Sequence, residues 1–215
     1  MPYSLRLIED RLAPGARYTP ALGSRAGVLY LASGDLHVAG DGAAAATLER
    51  GRARMGAGPA AAVAGGSGAR VLRFELVRQP PPPAAGRVLL EHPVALDARA
   101  PWILRCDRVD FERGGTALPH RHRGGGIRCL LQGRLEVTVG GGVMRVMRPW
   151  DAWFESGREP VLAVSARDQD TSFIRVSVLP AEIRGESSIV YVDPADAARS
   201  RPRTYTVYVD EPISL

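Results

Sequence analysis

The sequence predicts an all-β protein. Short runs rich in β-branched and aromatic residues recur along the chain, each bounded by glycine or proline, as strands between turns require. No stretch offers a capped amphipathic helix of three turns. The alanine-rich segment from Ala43 to Ala64 is broken by Gly51, Gly56, Gly58 and Pro59, so alanine alone does not make it a helix.

Taken in order, Gly27-Val28-Leu29-Tyr30-Leu31 runs to Gly34-Asp35, and Leu36-His37-Val38 follows, which reads as a hairpin or closely linked pair. Arg70 to Val77 is the next clear strand. Leu135 to Val139, Val143 to Val146, Ser172 to Val178 and Tyr205 to Val209 complete the set. Four consecutive prolines, Pro80 to Pro83, cannot enter a ladder and form a stiff extended connection. The expected organisation is a first domain over 1–79, a proline-rich linker over 80–86, a second domain over 87–180, and a strand-bearing tail over 181–215. That tail, with Ser187 to Val192 and the strand at Tyr205, is expected to return across the first domain or a partner subunit.

The two parts resemble each other. Val28 to Val38 and Ile127 to Val137 both read as strand, glycine turn, strand, with Gly34 matching Gly133. In that register His120 and His122 fall opposite Ala21 and Gly23, so the first copy lacks the pair and reads as structural. His37 falls opposite Glu136, and His92 precedes Pro93 in a connecting segment. Both are read as core or surface histidines.

The chain has 215 residues, enough for one large β domain or two small ones. Apolar residues make up 45% of it, yet no run approaches the roughly 18 that a membrane helix needs. The N-terminal Met1-Pro2-Tyr3-Ser4-Leu5-Arg6 lacks the basic region and apolar core of a secretion signal, so the cytoplasm is the expected location. The net charge of +5 comes from 28 basic residues, all arginine, scattered among acidic ones. No concentrated basic stripe or reading module is present, which argues against nucleic-acid binding. Cys106 and Cys129 are too few for a disulfide framework and read as buried free thiols.

The chemical content concentrates at His120 and His122. Two apart on a strand, their rings share one face, which suits a divalent metal. Gly115, His120, His122 and Gly133 match in type and spacing the first motif of the cupins, and Arg148 to Val161 is the counterpart of the second. The segment 105–180 carries most of this resemblance, and 20–80 a weaker part. It implies two cupin-like antiparallel β-barrels of the double-stranded β-helix, or jelly-roll, type, the first degenerate, as in uncharacterised bacterial bicupins. It also implies a metal, one of Fe, Mn, Zn or Ni, and a homodimer, as is common for such sheets. The chain departs from the pattern at two ligands. Gly126 stands where a glutamate is expected, and Pro160 or Val161 where a third histidine is expected.

Glu155 is the replacement ligand beside His120 and His122, or else it forms a salt bridge at the rim. Counting by twos from position 126 brings Arg128 into the same cavity. There it clamps a substrate carboxylate or pairs with Glu155, unless the register places it outside. Gln132 and Trp153 are candidates to line the mouth and complete the ligand-binding set, but both also fit ordinary packing, and Trp153 with Trp150 is read first as filling core or interface space. Two functions follow. One is a metal-dependent enzyme acting on a small carboxylate-bearing metabolite; the other is a non-catalytic small-molecule-binding or regulatory barrel without stable metal. The absence of lysine removes Schiff-base chemistry from either.

Overall fold

Strands form where the alternating pattern places them, and the described residues contain seventeen. The computed structural model describes residues 2–19, 26–38, 46–56, 61–79, 86–199 and 201–215. Among these there is no α-helix; Ala181–Ile183 and Pro194–Ala198 form short 3-10 turns. Among the described residues no helix is long and apolar enough to cross a membrane. The chain divides into one unit of residues up to Ala100 with Ile213–Leu215, and another of Pro101–Pro212.

The first unit contains β1 (Pro2–Leu12), β2 (Arg17–Tyr18), β3 (Gly27–Val38), β4 (Ala46–Glu49), β5 (Ala53–Gly56), β6 (Ala62–Arg78) and β7 (Arg87–Ala95). They make one antiparallel sheet in the order β4-β3-β6-β1-β7, with β2 on β6 and β5 on β3. Leu29, Leu31, Leu36, Leu48 and Val71 form an apolar cluster on it. Asp10, Arg6, Arg73 and Glu75 are buried here as well. Arg6 Nε lies 2.6 Å from Glu75 and Arg73 Nε 2.8 Å from Asp10, while the Tyr18 hydroxyl donates to Asp10. Mutual pairing of this kind is what makes buried charge tolerable.

The expected hairpin at Gly34 is instead one continuous strand. β3 runs through the glycine, and its pairing with β6 shifts register between Leu31 and Ser33 and again between Gly34 and Leu36. Gly34 has φ 77°, and its backbone lies so close to the Gly68 carbonyl that no Cβ could be accommodated. It is a bulge glycine, and it bends the strand without ending it.

The second unit contains β8 (Trp102–Phe111), β9 (Thr116–His122), β10 (Gly126–Gln132), β11 (Leu135–Val139), β12 (Arg145–Met147), β13 (Ala152–Glu155), β14 (Val161–Ser165), β15 (Thr171–Pro180), β16 (Ile189–Tyr191) and β17 (Arg203–Ile213). These form two five-stranded sheets, β13-β10-β15-β8-β17 and β12-β11-β14-β9-β16. The chain crosses from sheet to sheet at almost every connection, the jelly-roll pattern. Val109, Phe111, Leu130, Leu135, Val137, Trp153 and Phe173 pack between the sheets. Gly126 faces Ser177 across the β10–β15 ladder as Gly27 faces Glu75 across β3–β6. The repeat seen in the sequence is thus a repeat of pairing, and it makes Arg175 the counterpart of Arg73.

Two boundaries differ from expectation. The second unit does not begin at residue 87, because β7 pairs with β1 over Pro2↔Ala95 to Glu9↔Arg87 and so extends the first sheet. A proline run cannot join a ladder, but the strand after it can still return to the sheet before it. Residues 80–85 of the expected linker lie outside the described residues, as do Ala21 and Gly23. Up to Pro212 the tail belongs to the second unit rather than the first: β16 pairs with β9 and β17 with β8.

Candidate functional site

Alternation along β9 turns His120 and His122 inward together. Both are buried, their ring centroids 4.9 Å apart and their planes nearly perpendicular at 88°. His120 Nδ1 lies 2.7 Å from the Leu118 carbonyl oxygen. A carbonyl only accepts, so Nδ1 carries the proton and Nε2 keeps its lone pair. His122 Nδ1 lies 3.2 Å from Ser188 Oγ, and its Nε2 3.4 Å from Glu155 Oε2. Burial lowers the pKa of both rings, that of His122 to about 3, so both are neutral near pH 7.

The β10–β13 ladder sets Gly126 opposite Glu155 and Arg128 opposite Trp153. Arg128, 1% exposed, is the bulkiest of the fully buried side chains. Its Nη2 lies 2.7 Å from Glu155 Oε2, and its Nη1 donates to the Gly126 carbonyl at 2.5 Å. Nη2 nevertheless lacks a hydrogen-bond partner. The ion pair is therefore close but off the N–H direction, and that donor is left over. Trp153 Nε1 donates to Glu155 Oε1 at 2.8 Å. Burial alone would raise the Glu155 pKa, but Arg128 and the contacts from His122 and Trp153 outweigh it and hold the carboxylate ionised. Burial pulls Arg128 down to about 10, which leaves it charged as well.

Three further side chains complete the site. Arg175 on β15 holds Asp107 with two hydrogen bonds, Nε at 2.8 Å and Nη2 at 2.5 Å. Arg203 on β17 is 8% exposed and donates from Nε to the Tyr205 hydroxyl at 2.5 Å. Its Nη2 is buried without a hydrogen-bond partner, and no carboxylate pairs with it among the described residues.

These groups line a cavity of about 20 Å³, floored by Val109, Phe111, Leu135 and Phe173. That is room for about one water molecule. A second cavity of about 220 Å³ shares Arg175 and Tyr205 with it and is otherwise bordered by Arg105, Asp107, Arg201, Val207 and residues 185–189. His120, His122, Arg128, Trp153 and Glu155 thus meet at one cavity. Gln132 does not: it is exposed at the end of β10, because the β10–β15 pairing shifts register between Leu130 and Gln132 and breaks the count by twos. Arg175, Arg203, Tyr205 and Ser188 were not anticipated. For Arg203 and Tyr205 the available signal was their i, i+2 alternation in the last strand.

The donor set does not suit a metal ion. Glu155 has Oε1 bonded to Trp153, and Oε2 shared between a guanidinium and an imidazole. A cation would have to sit beside Arg128. A glutamate cannot stand at position 126 either, since a Cβ there would lie 2.6 Å from the Val176 carbonyl oxygen. Val161 lies opposite His120 in the neighbouring strand and offers no ligand atom. Among the described residues no group of three or more His, Cys, Asp or Glu side chains is arranged to hold a metal.

No protein-family model matches the chain, and no curated protein matches it in sequence. Among solved structures it resembles Bacillus subtilis oxalate decarboxylase at 11% identity, over 94% of this chain and 79% of that one, with a TM-score of 0.62. AerE from Microcystis aeruginosa matches at 14% identity over 82% and 87%, TM-score 0.56. A cupin 2 conserved barrel domain protein from Leptotrichia buccalis matches at 16% identity over 83% and 85%, TM-score 0.49. At such identities a likeness speaks to fold alone. The strand order and the first two of these structures agree on it: an all-β, antiparallel jelly-roll architecture.

Proposed function

We propose that the second unit is a small-molecule-binding cupin barrel whose ligand is a small organic anion, a carboxylate-bearing metabolite, held without a divalent metal. One observation carries this reading: Arg203 is a buried guanidinium on the cavity, with no carboxylate partner among the described residues and one nitrogen unsatisfied. Burying such a charge is costly unless something answers it. Arg128 is neutralised by Glu155 and Arg175 by Asp107, which leaves Arg203 as the group that calls for an anion. In this reading one carboxylate oxygen takes the water-sized inner cavity, which Arg203 and Arg128 both line. The body of the ligand occupies the larger cavity beyond Arg175 and Tyr205.

A catalytic role is the second reading, and His120 favours it. The lone pair on its Nε2 makes it an acceptor for a substrate proton beside the anion.

The test is calorimetric titration of the full chain with a panel of short mono- and dicarboxylates, in wild type and Arg203→Met. Charge-assisted hydrogen bonds are worth roughly 1.5–3 kcal/mol, so the substitution should weaken binding by about 10- to 100-fold. If no acid on the panel binds, or wild type and Arg203→Met bind alike, the reading is wrong. His120→Gln separates the two roles: a binding module keeps its ligand unchanged in composition, whereas an enzyme loses turnover of it.

A further inference from the structure

We infer that Arg128 is the resident cation of the second barrel and that it bars divalent metals from the His120, His122 and Glu155 side chains. This goes beyond the anion-binding reading and stands independently of it. The argument begins with spacing. His122 Nε2 and Glu155 Oε2 are 3.4 Å apart, close to the separation of two ligands on one tetrahedral ion with bonds of about 2.0–2.1 Å. His120 lies against His122 and has an unprotonated Nε2. These donors are near one another; what stands among them is a guanidinium.

Arg128 Nη2 approaches Glu155 Oε2, the same oxygen that His122 approaches, to within 2.7 Å. A divalent ion placed there would meet a fixed positive charge at contact distance in a dry interior, where repulsion is weakly screened. The guanidinium is also anchored. Nη1 is held by the Gly126 carbonyl, and the absence of a side chain at 126 keeps that strand close against Val176 and Ser177. Glu155 is balanced once, by Arg128, and a metal would bring positive charge with no carboxylate left over to receive it.

The experiment titrates the chelator-stripped full chain with Zn(II) or Co(II) alone, read by the ring signals of His120 and His122 in NMR and by Co(II) visible absorption. Wild type should show no change in either histidine. Arg128→Met, and Arg128→Gln as a milder variant that keeps a hydrogen-bond donor toward Gly126, leave Glu155 buried and unbalanced. Each should bind Co(II) and Zn(II) at least about 100-fold more tightly than wild type. Adding His120→Ala and His122→Ala should abolish that gain, which distinguishes this site from surface histidines. Arg128→Lys, which restores a cation, should bind no better than wild type. Metal-induced shifts of His120 and His122 in wild type would overturn the proposal. So would a folded Arg128→Met or Arg128→Gln protein that gains no affinity. The wild-type arm alone decides the matter if neither variant folds. Failure here leaves the role of Arg203 in anion binding intact, since that is scored by Arg203→Met on carboxylate affinity, although metal on wild-type His120 and His122 would remove the metal-free part of that reading.

Discussion

Acid should unfold this protein through His122 well before its carboxylates protonate. The folded protein holds His122 neutral with a pKa of about 3, against an ordinary value of 6.5. The unfolded chain therefore binds a proton that the folded one refuses, and lowering the pH below 6.5 favours unfolding. Each pH unit between those values costs about 1.4 kcal/mol, so moving from pH 8 to pH 5 should remove about 2 kcal/mol through this residue alone. His120, whose pKa burial also lowers, acts in the same direction. Glu155 does not confuse the window. Its depressed pKa contributes stability that is lost only below the ordinary carboxylate value of 4.5. The assay is urea unfolding followed by tryptophan fluorescence at several pH values, in wild type and His122→Asn. The variant will be less stable at pH 8, because Ser188 and Glu155 lose a partner, but its stability should fall less steeply between pH 6.5 and 5. Parallel pH profiles for the two proteins would refute the reasoning.

Two further substitutions test the backbone that frames the site. Trp150 has φ 77° in the turn between β12 and β13, closed by the Asp151 N–H donating to the Arg148 carbonyl at 2.9 Å. A left-handed residue with a Cβ costs about 1–2 kcal/mol, so Trp150→Gly should be about 1 kcal/mol more stable than Trp150→Ala in thermal or urea unfolding. The opposite order would mean that the turn relaxes out of that conformation. Gly126→Ala drives a methyl against the Val176 carbonyl at 2.6 Å. Overpacking of this sort typically costs about 1–3 kcal/mol, and the β10–β15 ladder should show faster amide exchange around Val176. Unchanged stability would show that β10 can move away from β15.

Strand existence was easy to read because alternation and punctuation are local properties. Partner choice was not. Nothing in Arg203-Thr204-Tyr205-Thr206-Val207 announces that the strand lies on β8, because a ladder is made through backbone groups that every strand carries. The inward direction of His120, His122 and Arg128 followed from parity, that of Glu155 from its place at the end of its strand, and all four line the cavity. Parity also misplaced Gln132, since a bulge beyond Leu130 flips every residue that follows, and bulges leave little trace in composition. The alternative left open for Glu155, metal ligand or partner of Arg128, depended on a distance, and distances between strands are not written in a sequence. Gly34 shows a similar limit. A glycine that turns the chain and one that bends a continuing strand read alike, although they yield two separate strands in one case and a single long one in the other.

The placement of β17 has a consequence for folding order. Arg105 on β8 bonds to Asp210 on β17 at 2.8 Å across 105 residues of sequence. That pairing closes a long loop, and distant pairings of this type form late because their entropy cost precedes their reward. Arg203 and Tyr205 ride on the same strand. During synthesis the inner cavity therefore acquires His120, His122, Arg128 and Glu155 first, and its unbalanced guanidinium only when the final strand docks. On the anion-binding reading proposed above, competence to capture an anion and completion of the barrel arrive in a single step, so a chain shortened before residue 203 would carry the histidine pair without Arg203.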